Sequence, residues 1–247
     1  MGKMKKYLYE THMHTSESSA CATITGAEQV RIYKKLGYSG IIVTDHFYNG
    51  NTSISRRLPW REWVEGFARG YENAKKEGDR IGLTVLFGWE ESFSGNDFLV
   101  YGLDKEWLIN HPQILSWSLE EHYKYIKKDG GFLVHAHPFR EASYIPRIRL
   151  FPDITDGVEV INASHEDLGF DSRAHKYAIL HKKYQIAGSD SHHHHSRRGG
   201  ILLDHELEDI KDFISSVKNE SNIDLVKDVE KQGRTFQGYL RKNIKSN

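Results

Sequence analysis

Five apolar segments of this chain each run into histidine or acidic residues, and no other feature of the sequence restricts the fold as strongly. The segments end in His12-Met13-His14, Thr44-Asp45-His46, Glu90-Glu91, His135-Ala136-His137 and Ser189-Asp190-Ser191-His192. Residues two apart in a strand point to the same face, so His12 with His14, His135 with His137, and Asp190 with His192 are same-face pairs. A closed or nearly closed barrel brings five such strand ends around one point.

Apolar runs alternate with helical stretches along the chain, a pattern typical of βα units around a sheet. Strands are predicted over 7–11, 40–44, 83–88, 98–102, 131–135, 157–161, 184–188 and 200–203, and helices over 26–36, 60–76, 119–128, 172–181 and 205–217. No repeat or composition shift marks a second domain. We therefore expect one barrel domain over residues 1–247, with its core at about 7–204 and a polar C-terminal surface extension at about 205–247.

Charge and cysteine usage exclude several classes of protein. The chain has 34 basic and 34 acidic side chains, so it has no overall field to attract nucleic acid or an anionic membrane. Cys21 is the single cysteine, which excludes an internal disulfide framework. No run approaches the roughly 20 apolar residues of a membrane span, and we expect a cytoplasmic protein. The oligomeric state stays open.

The donor types at the strand ends indicate which metals could bind there. Imidazole and carboxylate groups without a thiolate cluster suit zinc, manganese or iron. So many donors imply more than one ion, and Glu90 can bridge two ions through its two oxygens. His135 is the weakest member of the set and can instead orient a neighbouring ligand. Structural roles are the better interpretation for His111, His122, His165, His175, His181 and His205, and solvent-facing loop positions for His193, His194 and His195.

Taken in order, these motifs resemble those of the PHP (polymerase and histidinol phosphatase) superfamily, from about residue 7 to about residue 203. The resemblance implies a distorted (β/α)7 TIM-like barrel with two or three divalent ions acting on phosphate esters. The implied ligands are His12, His14, Glu90 and Asp190 for one ion, Glu90 and His137 for a second, and His46 and His192 for a third.

Two segments depart from the pattern of that superfamily. Many members carry a further histidine or aspartate after the first histidine pair, where this chain reads Thr15 to Cys21, and Glu17 could substitute. Some members carry a histidine soon after the bridging glutamate, and here Asp97 or His111 could supply that ligand. The sequence thus supports two ions more strongly than a third.

A phosphate substrate also needs cations that do not bind metal. Arg140, Arg197 and Arg198 follow the ligand motifs on loops at the same predicted edge, and guanidinium groups can bind phosphate oxygens in pairs. Glu90, Asp190, Arg140 and His192 form the predicted catalytic set. His192 is a candidate general acid, with His193 or His165 as a substitute. The aromatic residues Phe47, Tyr48 and Trp60 either form a wall for a ring-bearing leaving group or pack a long loop onto the barrel.

The favoured hypothesis is a metal-dependent phosphoesterase that hydrolyses a phosphate ester of a small molecule, preferably a monoester, with a metal-activated water. One alternative is a related barrel hydrolase for carbon–nitrogen or ester bonds, because a fold alone does not fix the chemistry. A second alternative is a non-catalytic metal-binding module that regulates a partner.

Overall fold

The computed structural model describes residues 5–143, 145–196, 198–220, 223–227 and 237–239. Its strands are β1 (Tyr7–Met13), β2 (Gly40–Val43), β3 (Thr84–Phe93), β4 (Asn96–Tyr101), β5 (Phe132–His135), β6 (Gly157–Asn162), β7 (Tyr184–Gly188), β8 (Gly199–Leu203), β9 (Asp224–Lys227) and β10 (Gln237–Tyr239). Its α-helices are α1 (Gly26–Lys35), α2 (Trp60–Phe67), α3 (Arg69–Ile81), α4 (Lys105–Asn110), α5 (Leu119–Lys128), α6 (Leu168–Leu180) and α7 (Ile210–Lys218).

One sheet contains every strand, in the order β10-β9-β8-β1-β2-β3-β4-β5-β6-β7. The sheet curls so that the end of β7 meets β1. The hydroxyl of Thr11 donates to the carbonyl of Ala187 at 2.8 Å, and the amide of Asp190 donates to the carbonyl of His12 at 2.7 Å. The predicted α/β fold with a nearly closed, distorted barrel is therefore confirmed.

The barrel is not made of parallel strands throughout. β4 is antiparallel to both β3 and β5, and β8 is antiparallel to β1. Only Ser94 and Gly95 connect β3 to β4, and both have positive φ, 49° and 81°. A two-residue turn of this kind joins antiparallel strands, whereas a parallel connection needs about a dozen residues. The short turn therefore fixes the direction of β4.

All eight predicted strands are present, and the helices differ more from the prediction. The predicted helix over 60–76 is two helices, α2 and α3, which meet at Ala68. α6 begins four residues earlier than predicted because Asp167 caps its first turn, and α7 begins five residues later, after the cap Asp209. α4, capped by Asp104, was not predicted.

The C-terminal range contributes to the core as well as to the surface. α7 buries Phe213 and Val217, and β9 pairs with β8 and buries Leu225. In β9, Lys227 is 3% exposed and its Nζ donates to Asp171 Oδ2 at 2.6 Å. The polar composition of the segment conceals this strand, because the buried lysine is neutralised by a partner elsewhere in the chain.

Within the described residues, no helix combines the length and the apolar composition needed to span a membrane.

Candidate metal centre

His12 on β1 and His14, which follows the end of that strand, lie at the centre of the site, and both side chains are fully buried. The Glu10 carboxylate, on the same strand, accepts hydrogen bonds from the backbone amides of His12 and Ser189, both at 2.9 Å. The amide of His14 donates to the carbonyl of Ser191 at 3.0 Å. These bonds hold the ends of β1 and β7 together, so residues far apart in sequence share one position.

A first group of donor atoms lies around His12, His14 and Asp190. The two Nε2 atoms of the histidines are 3.2 Å apart, and Asp190 Oδ1 lies 3.1 Å from His14 Nε2 and 3.5 Å from His12 Nε2. Donors bound to one zinc ion at about 2.0–2.1 Å lie roughly 3.4 Å apart. The separations therefore fit a single ion between these three side chains.

A second group is built on Glu90, whose carboxylate lies between several imidazoles. Glu90 Oε1 lies 3.3 Å from His12 Nε2 and 3.2 Å from His137 Nε2, and Glu90 Oε2 lies 2.6 Å from His46 Nδ1. Asp97 Oδ2 is 3.9 Å from His137 Nε2, at the open side of this group. The two oxygens of Glu90 thus face different imidazoles, Oε1 those of His12 and His137 and Oε2 that of His46.

A third group consists of His14, His46 and His192. The His14 ring lies 4.2 Å from the His46 ring and 4.1 Å from the His192 ring between centroids. The Nε2 atoms of His46 and His192 are 3.5 Å apart. In each of the three groups, one donor atom per residue lies within 4.8 Å of the others.

Unusual backbone geometry places two of these side chains. His137 and Asp190 follow the ends of β5 and β7 and have φ values of +29° and +54°. Few residues other than glycine adopt positive φ, and such strain is concentrated at functional sites. At His137 the turn also breaks the strand alternation, so His135 does not share its face. The His135 ring instead stacks on Phe98, with the ring centroids 4.9 Å apart. Burial, and to a smaller extent the nearby His137, lowers the pKa of His135 to about 3.

Gly188 is required at the end of β7 by the close approach of β1. A Cβ atom on Gly188 would lie 2.5 Å from His12 Cβ and 2.9 Å from Glu159 Oε1. Real Cβ atoms do not come so close to other atoms, so the packing of His12 depends on this glycine.

The donor set and its unsatisfied atoms fit divalent metal ions. Glu90 Oε2 and His46 Nδ1 are buried and lie close together, yet neither has a partner with hydrogen-bond geometry among the described residues. Two buried, unpaired polar atoms are costly unless a further group binds them. Imidazole and carboxylate donors suit zinc, manganese or iron, so the cluster fits the ions expected from the sequence.

Glu159 on β6 orients two of the histidines and was missed in the sequence. Its Oε1 lies 2.9 Å from His12 Nδ1, and its Oε2 accepts hydrogen bonds from the backbone amide of His137 and from Asn162 Nδ2, both at 3.0 Å. A carboxylate on Nδ1 directs the other ring nitrogen of a ligating histidine toward the metal. An acidic residue within the apolar run Gly157–Asn162 is the signal that could have identified it.

Asp45 fixes the loop after His14. Its carboxylate accepts hydrogen bonds from the Thr15 amide at 2.6 Å, the Thr15 hydroxyl at 2.6 Å and the Ser19 hydroxyl at 2.7 Å. The Ser19 hydroxyl lies 3.1 Å from His14 Nδ1. Asp45 is therefore a positioning residue for His14, and burial raises its pKa to about 6 although these hydrogen bonds lower it.

The cluster has strong internal electrostatics. Burial opposes the ionisation of both Asp190 and Glu90. Nevertheless, Arg140 and His12 hold the pKa of Asp190 well below its usual range. In the same way, His12 and His46 hold the pKa of Glu90 well below its usual range. For His14, burial and then the neighbouring His192 and His46 lower the pKa well below its usual value. The carboxylates are thus ionised and His14 is neutral, which are the forms that bind metal.

Arg140 is the predicted phosphate-binding residue that reaches the cluster. Its guanidinium donates to Asp190 Oδ2 at 2.6 Å, to Ser164 Oγ at 3.0 Å and to His165 Nε2 at 3.2 Å. The His165 Nδ1 atom lies 2.8 Å from Asp171, the carboxylate that also binds Lys227. A hydrogen-bonded series of side chains therefore runs from β9 to a candidate metal ligand.

The structure does not bring every predicted site residue to the cluster. Glu17 accepts hydrogen bonds from the backbone amide of Gly26 at 3.0 Å and from Asn73, so it caps α1. His111 stacks on Trp107 at 4.1 Å, and Arg198 is buried over the Tyr33 ring. Arg197 lies outside the described residues.

The candidate general acids and the aromatic residues occupy different environments. His192 belongs to the third group, His193 Nδ1 lies 3.1 Å from the exposed Thr23 hydroxyl, and His165 accepts from Arg140. Phe47 is fully buried and packs edge-on against Trp63 and Trp60. Packing of the loop onto the barrel is therefore the role of these aromatic side chains.

A cleft of about 610 Å³ opens onto the cluster. Its lining combines donor residues with small polar side chains and comprises Cys21, His46, Asn49, Gly50, Asn51, Glu90, Ser92, Gly95, Asp97, His137, Arg140, Asp190 and His192. Cys21 was not considered as a site residue in the sequence. Burial raises the pKa of the Cys21 thiol, but the larger combined effect of His192 and His46 lowers it to about 6.

Comparisons with known proteins identify the fold. No protein-family model matches the chain. The chain is 28% identical over 138 residues, or 56% of its length, to an uncharacterized protein of Methanocaldococcus jannaschii, 66% of which is matched.

Three solved structures share the fold at low sequence identity. A two-domain protein from Bacteroides vulgatus containing a predicted PHP-like metal-dependent phosphoesterase matches with a TM-score of 0.62 and 14% identity, over 91% of this chain and 65% of that one. A predicted metal-dependent phosphoesterase from Bifidobacterium adolescentis matches at 0.54 and 18%, over 84% and 94%. An amidohydrolase from Chromobacterium violaceum, solved with sulfate and no metal, matches at 0.52 and 18%, over 74% and 87%.

The resemblance expected from the motifs is thus confirmed at the level of the fold, which is PHP-like. The chain spans just under two thirds of the length of the Methanocaldococcus jannaschii and Bacteroides vulgatus proteins.

Proposed function

We propose that the chain is a PHP-superfamily metal-dependent phosphoesterase that hydrolyses a phosphate ester of a small molecule, with a monoester favoured. The observation that carries the proposal is the convergence of three donor groups, centred on His12, Glu90 and His14, beside the guanidinium of Arg140 at the base of one cleft. Three overlapping donor groups are typical of a multinuclear site, and a guanidinium beside such a site suits an anionic substrate.

The residues divide the chemistry between them. The donors of the three groups would hold divalent ions, and bound ions would supply a water of lowered pKa and polarise a phosphoryl oxygen. Arg140 binds a second phosphoryl oxygen, while Asp190, which already accepts from Arg140 at 2.6 Å, holds the guanidinium beside the reacting centre. Glu90 lies between the donor groups, with Oε1 at 3.3 Å from His12 Nε2 and Oε2 at 2.6 Å from His46 Nδ1, so one side chain fixes the spacing between these two imidazoles.

Polar side chains line part of the cleft wall, and we propose that they contact the leaving group. Asn49, Asn51 and Ser92 line the cleft beyond the cluster, whereas Phe47 and Trp60 pack inside the barrel wall. Amide and hydroxyl side chains suit a leaving group that carries hydroxyl or amine groups. The sulfate in the Chromobacterium violaceum amidohydrolase is an anion of similar size and shape to phosphate, although the chemistry of that protein differs.

The test measures metal content per chain and turnover of p-nitrophenyl phosphate, before and after chelation, for the wild type, Glu90→Gln and Glu91→Gln. Glu91 is a matched control, because it is an equally buried glutamate that pairs with His122 and not with the cluster. We expect at least two ions, loss of turnover on chelation, competitive inhibition by inorganic phosphate, and a loss of at least about a hundredfold in Glu90→Gln. Near-normal turnover is expected in Glu91→Gln.

Two other results would redirect the assignment. Turnover of amides without turnover of phosphate esters, and without inhibition by phosphate, would favour the carbon–nitrogen hydrolase. A fully metal-loaded protein that turns over no ester or amide would favour a metal-binding module.

A further inference from the structure

We propose that Cys21 supplies a thiolate ligand to an ion held with His46 and His192 at the mouth of the cluster. The inference rests on the multinuclear site of the proposed function and adds a donor type that the sequence motifs do not contain. It concerns the segment after His14, where this chain lacks a further histidine or aspartate at the expected place.

The backbone on both sides of Cys21 is fixed to the site. The amide of Ala20 donates to the carbonyl of Asn51, and the amide of Thr23 donates to the carbonyl of His192, both at 2.9 Å. The amide of Ala22 donates to the carbonyl of Ser19 at 3.1 Å. Cys21 is therefore held between the loops that carry His46 and His192.

The Cys21 side chain faces the third donor group. Cys21 lines the cleft together with His46 and His192. The two imidazole Nε2 atoms are 3.5 Å apart, the spacing of donors that share an ion. Because His14 Nε2 also belongs to the first group, at 3.2 Å from His12 Nε2 and 3.1 Å from Asp190 Oδ1, Cys21 would supply the third donor beside His46 and His192.

A separate observation indicates that this end of the cluster binds a cation. Glu90 is 1% exposed, and its Oε2 atom has no hydrogen-bond partner among the described residues. The atom is aimed at His46 Nδ1, 2.6 Å away, on the ring that also faces His192. This buried carboxylate oxygen, which also lies 3.6 Å from His14 Nε2, provides negative charge where a cation would lie.

No other side chain proposed for this position competes for it. Glu17, the alternative in the same segment, bonds to the N-terminus of α1 and to Asn73. When an ion binds, the thiol releases its proton to solvent and the sulfur donates an electron pair to the ion. A soft thiolate favours zinc or cobalt over manganese or magnesium, so Cys21 would set the metal preference of this position.

Cobalt(II) provides a direct test, because Cys21 is the single cysteine in the chain. Any thiolate-to-cobalt charge-transfer absorption in the near ultraviolet must therefore come from this residue. We expect the band in wild-type protein loaded to saturation with cobalt, and its loss in Cys21→Ser and Cys21→Ala. We also expect the affinity for the weakest-bound zinc ion to fall by more than about tenfold in both variants.

Glu17→Gln is the matched control, since it changes the same loop without facing the cluster, and it should keep the band. Saturated wild-type protein without the band, or a band that persists in Cys21→Ser, would overturn the inference. The result is separable from the proposed function. The band without phosphate ester turnover leaves the ligand assignment intact, and turnover without the band leaves the phosphoesterase without a thiolate ligand.

Discussion

Glu159→Gln offers a sharp test of how the site orients its histidines, because an amide cannot satisfy all the neighbours of this carboxylate. Oε1 faces His12 Nδ1 at 2.9 Å, and Oε2 accepts from the amide of His137 and from Asn162, both at 3.0 Å. A glutamine has one acceptor and one donor group at these two places. If its oxygen faces His12, its NH2 group meets two other donors and leaves them unpaired.

The opposite orientation of the glutamine changes the tautomer of His12. Its NH2 group would then donate to Nδ1, so the proton of a neutral imidazole moves to Nε2, the atom that faces His14 and Glu90. That nitrogen could no longer bind metal. A hydrogen bond to a charged group contributes about 1.5–3 kcal/mol, and loss of such an orienting partner costs about 10–100-fold in metal affinity.

Zinc affinity measured by chelator competition, with thermal unfolding of the metal-free proteins in parallel, checks this prediction. Glu91→Gln is the control, since it removes the same charge from a buried site that contacts His122 instead. We expect a loss of about 10–100-fold in affinity for Glu159→Gln and less than about threefold for Glu91→Gln. Equal affinities for both variants would refute the orienting role of Glu159.

Three further predictions follow from the site. Arg140→Lys should raise the KM for a phosphate ester and the inhibition constant for phosphate by about tenfold or more, because an ammonium group cannot reproduce the contacts of the guanidinium. Steady-state kinetics measures both constants. Gly188→Ala should lower the free energy of unfolding by about 1–3 kcal/mol, because its Cβ would lie 2.5 Å from His12 Cβ, and chemical denaturation that shows no loss would contradict it. Metal-free protein should lose stability at both pH extremes. The lowered pKa of Asp190 stabilises the fold above about pH 4, and this contribution is lost as the pH falls through the pKa of the folded protein. Burial lowers the pKa of His12, but Glu159 and Asp190 raise it overall, so His12 stabilises the fold below about pH 6.5 and this contribution is lost as the pH rises through the pKa of the folded protein. Metal-loaded protein holds His12 neutral, so the difference in thermal midpoint between loaded and metal-free protein should widen as the pH rises above about 6.5.

The ends of β2, β5 and β7 could be predicted because ligand-type residues follow their apolar runs. β1 and β3 instead continue through His12 and Glu90, two and five residues beyond their predicted ends at residues 11 and 88. The direction of β4 could not be predicted, since it depends on a two-residue turn at Ser94 and Gly95, between the predicted strands 83–88 and 98–102. The pairing of His135 with His137 was expected from strand alternation, which fails where His137 adopts positive φ.

Residues that act through long-range contacts were harder to identify. Glu159 has no ligand motif around it, and its role depends on strands that are not adjacent in sequence. Cys21 lies nine residues after His12 in a loop without periodic pattern, and it is held at the cleft by long-range bonds such as those from Ala20 to Asn51 and from Thr23 to His192. Lys227 was assigned to a surface segment, because its partner Asp171 lies 56 residues away.

The closure of the barrel between β1 and β7 has a consequence for the order in which the molecule assembles. The bond from Thr11 to Ala187 joins residues 176 positions apart, and every donor group contains His12 or His14, at the C-terminal end of β1. Such distant contacts form late and slowly, because a long loop must close before they contribute free energy. The donors of the first group are therefore separated until the chain has been synthesised beyond residue 190, and an ion that binds them stabilises the closed barrel as one cooperative unit. Removal of metal should accordingly increase amide hydrogen exchange in strands far from the ions as well as in the loops that surround them.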